Sequence, residues 1–65
     1  MVQKVIEIVG MGDSFAHAAE NAVKEAAKTV HAIKWAHVES LDMLLEGGKV
    51  VTYRATTKIY FDVDK

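Results

Sequence analysis

The sequence predicts an α+β fold, a single β-α-β-β domain that spans residues 1–65. Three observations predict it: a β-branched stretch at the start, a helical repeat of apolar positions after it, and a long alternating stretch at the end. Sixty-five residues form one domain, and a domain of this size buries only about 60% of its unfolded surface. The chain has no Cys for disulfides. Oligomerisation is therefore the expected source of extra stability.

The first strand is predicted at residues 2–9, which are rich in β-branched side chains. Residues 10–14, Gly-Met-Gly-Asp-Ser, are predicted as a turn because glycines and short polar residues punctuate chains in this way. Asp13 or Ser14 is suited to cap a following helix, since its side-chain oxygen accepts a bond from a free backbone N–H.

A helix is predicted at residues 15–33, where apolar residues recur at steps of three and four. This apolar stripe consists of Phe15, Ala19, Ala22, Val23, Ala26, Val30 and Ile33. Its alanines would let the helix lie close to the surface it covers. Polar residues fall off the stripe, and Glu20 stands four residues before Lys24 in the favourable orientation.

A hairpin is predicted at the end of the chain, with one strand at about residues 35–45 and another at residues 49–63. Gly47-Gly48 forms the two-residue loop, which places Glu46 opposite Lys49. Three further pairs follow from this register: Leu41 with Arg54, His37 with Lys58, and Trp35 with Tyr60.

The predicted register divides the hairpin into two faces. The face toward the helix carries Ala36, Val38, Ser40, Leu44, Val51, Tyr53, Ala55, Thr57 and Ile59, with Asp42 as its one misfit. The other face carries Trp35, His37, Glu39, Leu41, Met43 and Leu45 opposite Val50, Thr52, Arg54, Thr56, Lys58 and Tyr60. One helix covers one face only, so the second is predicted to form an inter-subunit surface.

Composition excludes several functions. A net charge of −1 with interspersed Lys and Glu gives no footprint for nucleic acid or for a membrane surface. No apolar run reaches the roughly 20 residues of a membrane helix, and no secretory signal is recognised, so a cytoplasmic protein is expected. The scattered His residues indicate neither a zinc site nor a catalytic arrangement. The protein is therefore predicted not to be an enzyme.

Five segments together resemble the dodecin family, and they span nearly the whole chain. They are KVIEIVG at 4–10, AVKEAAKTV at 22–30, WAHVE at 35–39, GKVVTYRA at 48–55 and KIYF at 58–61. The resemblance implies a curved antiparallel sheet that cradles the helix and a hollow homo-dodecamer. It also implies flavin bound between subunits, stacked on a Trp and hydrogen-bonded by a Gln, in a storage protein rather than an enzyme.

By position, Trp35 matches the stacking Trp of the family; the other interpretation is an interface Trp without a ligand. Arg54 stands where the family has its Gln. Arg has only donors, so it cannot accept from a flavin imide N–H, and it would favour an anionic ligand. The other interpretation of Arg54 is a structural residue paired with a carboxylate such as Glu39 of the same or a neighbouring chain.

Two further features bear on which flavin would bind and on how its site is built. Many dodecins have a basic residue after the final Phe, whereas this chain continues with Asp62 and Asp64, which weakens FMN relative to riboflavin and leaves room for a cation. Trp35 and Leu41 are six residues apart, about 20 Å along a strand, so Trp35 and Arg54 of one flat hairpin cannot hold the same ring. The alternative function is a dodecin-fold shell, structural or ion-binding, that has lost flavin binding.

Overall fold

The computed structural model describes residues 2–63 and contains four elements. They are β1 (Val2–Gly12), α1 (Phe15–Ala27), β2 (Ile33–Glu46) and β3 (Lys49–Val63). The three strands form one antiparallel sheet in the order β1-β3-β2, so the last strand lies in the middle. The predicted β-α-β-β fold is confirmed.

The helix α1 begins as predicted and ends earlier. Ser14 is the N-cap, and its Oγ accepts the backbone N–H of His17 at 3.0 Å. The prediction of helix up to residue 33 is wrong, because α1 ends at Ala27 and Ile33 begins β2. The N–H groups of residues 28–30 turn back onto the carbonyls of Glu25 and Ala26. The segment after the helix is rich in β-branched residues, which lose rotamer freedom in a helix and favour strands.

The buried core lies where α1 crosses the sheet. The helix buries Ala18, Ala22 and Ala26, of which Ala18 was missing from the predicted stripe. The strand β1 runs on to Gly12, so the predicted turn is limited to residues 13–14. Gly10 lies directly beneath the helix: a Cβ there would stand 2.1 Å from the carbonyl oxygen of Ala18. On β3 the buried residues are Ala55, Thr57 and Ile59.

The hairpin register agrees with the prediction at both ends and differs in the middle. The loop has φ of +60° at Gly47 and +78° at Gly48, values that suit a type I′ turn. The pairs confirmed are Glu46 with Lys49, His37 with Lys58, and Trp35 with Tyr60. The pairing of Leu41 with Arg54 is wrong, since Leu41 lies opposite Ala55 and Asp42 lies opposite Arg54.

Two irregularities of opposite sense cause this difference. Val51 is an extra residue on β3 between the pairs of Leu44 and Leu45, and Glu39 is an extra residue on β2 between the pairs of Val38 and Ser40. Such bulges shift the pairing by one residue, and here the second cancels the first. Opposite residues of an antiparallel pair share a face. Leu41 and Met43 therefore lie on the helix side, and Asp42 and Leu44 lie on the other.

The hairpin extends well beyond the helix. The molecule measures 51 × 19 × 13 Å, whereas a helix of 13 residues is about 20 Å long. The helix packs on β1 and β3 and hardly touches β2. Large apolar side chains consequently remain exposed along the sheet: Val2, Val5, Val9, Met11, Trp35, Val38, Leu41, Met43, Leu44, Leu45, Val50 and Val51.

Candidate functional site

The candidate site residues lie on the sheet face that points away from α1, here called the outer face. The central strand β3 contributes the residues that alternate with its buried ones, among them Arg54, Lys58 and Tyr60. The edge strands flank them, with Trp35 opposite Tyr60 on one side and Val5 opposite Tyr60 on the other. Two grooves occupy this face, one around Trp35 and one around Arg54.

The first groove, the Trp groove, has a volume of about 410 Å³. It is lined by Gln3, Trp35, Ala36, His37 and Tyr60. Small-molecule sites usually have volumes of roughly 300–1,000 Å³, so this groove is large enough for a planar ligand. Two of its lining residues, Trp35 and Tyr60, are aromatic, and Trp35 is 68% exposed. A flat, exposed indole offers a stacking surface.

The polar end of the Trp groove is built by β1 and β3. Gln3 and Asp62 are directly opposite on the two strands, and Gln3 Nε2 donates to Asp62 Oδ1 at 3.2 Å. The sequence analysis did not single out Gln3. Its place beside Trp35 depends on the strand order, because β3 lies between β1 and β2 and brings their ends to one groove.

The second groove, the Arg groove, is smaller, with a volume of about 170 Å³. It is lined by Met11, Asp42, Met43, Leu44, Thr52 and Arg54. Arg54 donates from Nε and Nη2 to the same oxygen of Asp42, Oδ2, at 3.1 and 3.0 Å. Both side chains are about half exposed, at 52% and 44%. An ion pair so exposed contributes at most about 1 kcal/mol to stability.

Asp42 is the partner that the sequence analysis missed. Glu39, named there as the carboxylate for Arg54, instead lies 3.5 Å from Lys58. The signal was present, because Asp42 was the one misfit on the predicted helix side. The one-residue shift between the two bulges moves Asp42 to the outer face, where it meets Arg54.

The two grooves share no lining residue. One chain therefore does not bring Trp35 and Arg54 together. Within residues 2–63 there is no group of three or more His, Cys, Asp or Glu placed to hold a metal ion. Asp62 contacts Gln3, and Asp64, the other half of the expected cation site, lies outside the described residues.

The dodecin family model matches residues 2–64 of the chain. This chain belongs to the dodecin family. Dodecins are small flavin-binding proteins without a known catalytic activity, so the resemblance seen in the sequence is confirmed at the level of the family. No curated protein matches the chain.

Solved structures of related proteins superpose closely on this one. The dodecin from Streptomyces davaonensis is 26% identical, with a TM-score of 0.92 over 98% of this chain and 96% of that one. The dodecin from Streptomyces coelicolor is 28% identical, with a TM-score of 0.92 over 98% and 93%. A protein from Thermus thermophilus, 23% identical over 98% and 96%, shares the fold with a TM-score of 0.92.

The described part of this dodecin contains no helix long and apolar enough to cross a membrane.

Proposed function

We propose that this dodecin stores or sequesters flavin without catalysing a reaction, as a hollow homo-dodecamer in the cytoplasm. The isoalloxazine ring stacks on Trp35, and Arg54 of a neighbouring subunit contacts its polar edge. The observation that carries the proposal is the exposed indole of Trp35 in a groove of ligand size. Aromatic stacking adds about 0.5–1.5 kcal/mol beyond the burial of surface. Stacking of a flat ring on Trp35 is therefore more favourable than exposure of the indole to water.

Self-assembly is supported by the exposed apolar residues of the sheet. Among residues 2–63, a monomer would leave twelve large apolar side chains in water, and contiguous apolar surface of this kind marks an interface. The separation of the two grooves within one chain also favours assembly. A ring held by both Trp35 and Arg54 must lie between two subunits.

Charges near the site favour riboflavin over FMN. Arg54 is neutralised by Asp42 at 3.0 Å, so it attracts an anion less than a lone guanidinium does. Phosphate groups are commonly bound by Lys and Arg. Neither residue type lines the Trp groove in the described structure. A neutral flavin therefore fits the site better than a phosphorylated one.

Riboflavin fluorescence tests the proposal. Purified protein should quench added riboflavin to a stoichiometric end point, because a ring stacked on an indole loses its excited state. Trp35→Ala should abolish quenching, since Trp35 is the only tryptophan. Trp35→Phe, which keeps a smaller aromatic face, should retain part of it. The size of the assembly should be measured for each variant, so that loss of the shell is distinguished from loss of the stacking surface.

An intact shell that does not quench riboflavin would contradict flavin storage. It would favour the alternative, an oligomeric shell without flavin. Quenching that survives Trp35→Ala would place the flavin elsewhere.

A further inference from the structure

Gln3 lies in the Trp groove and has no role in the function proposed above. It is on the edge strand β1, at the end of the outer face where Trp35 and Tyr60 are exposed or half-buried. Its only side-chain hydrogen bond among the described residues is to Asp62, at 3.2 Å. The Gln3 amide thus lines the groove and is held through its nitrogen by Asp62.

The contact with Asp62 determines which way the Gln3 amide points. An ionised carboxylate only accepts hydrogen bonds, so the amide must turn its nitrogen toward Asp62. The second N–H and the oxygen Oε1 are then left for another partner. An amide held in this way presents one donor and one acceptor side by side.

We propose that Gln3 reads the polar edge of the ring that stacks on Trp35, and that the ligand class is a planar ring with a cyclic imide. In such a ring an N–H lies between two carbonyl groups. Gln3 Oε1 accepts the imide N–H, and the remaining Nε2–H donates to a carbonyl oxygen. The inference rests on the proposed function, and it adds the residue and the ligand edge that determine specificity.

Other polar residues near the site lack this pattern. Arg54 has donors only, so it cannot accept from an imide N–H. His37 also lines the Trp groove, but the donor and acceptor of a neutral imidazole lie on different sides of its ring. Among the residues that line this groove, Gln3 alone carries an adjacent amide donor and acceptor, and its hydrogen bond to Asp62 favours one orientation of the amide.

Titration with riboflavin and with N3-methylriboflavin tests the inference, because methylation removes the imide N–H and leaves the stacking surface. The full-length wild type should bind riboflavin about 10-fold more tightly than the methylated ring, as expected for lost hydrogen bonds. Gln3→Leu should weaken riboflavin binding by about 10-fold and remove the preference. Arg54→Leu should keep the preference, because Arg54 cannot accept from the imide N–H. Glu20→Leu, at an exposed position of α1 outside both grooves, is the control and should change neither the affinity nor the preference.

Asp62→Asn provides a second test that leaves Gln3 in place. An Asn side chain accepts and donates, so the Gln3 amide is free to turn over. The preference for riboflavin should fall by about 3-fold, an intermediate loss.

The outcomes separate the two proposals. A preference that persists in Gln3→Leu, or that disappears in Arg54→Leu alone, overturns the role of Gln3 and leaves flavin storage standing if Trp35→Ala still abolishes quenching. A wild-type protein that does not bind riboflavin overturns both.

Discussion

The two ends of the sheet are built in opposite ways. Where α1 covers β1 and β3, most buried residues are small: Ala18, Ala22, Ala26, Ala55 and Thr57. Within residues 2–63, Ile59 is the one large aliphatic side chain that is buried. Along the β2–β3 hairpin the side chains are large and exposed. The chain thus uses its small residues for close packing within a subunit and leaves most of its large apolar ones exposed on the sheet. A single copy holds little buried apolar area of its own.

The uncovered hairpin should be the more sensitive region to a buried charge. Leu41 lies on the helix side of β2 and is 48% exposed, and α1 makes few contacts with β2 as a whole. If it packs against another copy, Leu41→Glu loses about 2 kcal/mol of apolar burial and adds a carboxylate whose desolvation costs several kcal/mol more. We expect the assembly to dissociate at micromolar concentration, as measured by analytical ultracentrifugation.

The matched control for Leu41→Glu is Ala16→Glu, which adds the same carboxylate at an exposed position in the first turn of α1. A negative charge there is neutral or slightly stabilising. Full assembly of Leu41→Glu, or dissociation of both variants, would refute the assignment of this surface to an interface.

One added carbon atom at Gly10 should destabilise the region that the helix covers. A Cβ at Gly10 would lie 2.1 Å from Ala18 O and 2.6 Å from Ala22 N, both backbone atoms. Gly10→Ala should therefore lower the free energy of unfolding by about 3 kcal/mol, at the upper end of overpacking costs. Urea unfolding at fixed protein concentration measures it.

Gly48→Ala is the comparison for Gly10→Ala, because a Cβ at Gly48 meets nothing within 4 Å and only its φ of +78° is unfavourable. It should cost about 1 kcal/mol. If Gly10→Ala is the milder of the two changes, the close approach of α1 to β1 is not a main support of the fold.

The smallest expected effect concerns the ion pair between Arg54 and Asp42 in the Arg groove. Asp42→Asn should lower stability by less than about 1 kcal/mol, because both partners are half exposed. A double-mutant cycle with Arg54→Gln should give a coupling of about 0.5 kcal/mol between residues 42 and 54. The same cycle with Glu39→Gln should give none. A coupling of Arg54 to Glu39 instead of Asp42 would contradict the shifted register.

The sequence was sufficient for the strands, the hairpin loop and the helix start, because these follow from local patterns of side chains. The strand order was left open, since no local pattern states which edge β1 joins. The end of α1 was missed because Val30 and Ile33 continue the helical spacing although their branched side chains favour a strand. Alternation alone could not reveal two cancelling bulges, which change the faces of only a few residues between them.

The surroundings of the candidate site were predicted less fully than the fold. Trp35 was singled out because its position in a recognisable motif does not depend on the register, and its role in stacking a ring stays a prediction. Gln3 was missed because its nearness to Trp35 arises only after β3 inserts between their strands. The Asp42 partner of Arg54 was missed for a related reason, although a lone carboxylate on an apolar face was a sign that the assumed pairing was wrong.

The irregular edge of β2 has a consequence for aggregation. A long, regular, apolar outer strand invites other strands to add to it and to grow into fibres. Along β2 the ladder is interrupted between Ile33 and Trp35 and again between Val38 and Ser40. Each bulge changes the spacing of the backbone donors and acceptors along this edge. A regular incoming strand therefore cannot form all of its hydrogen bonds with β2. The irregular pairing of β2 therefore disfavours amyloid-like addition of strands at this edge.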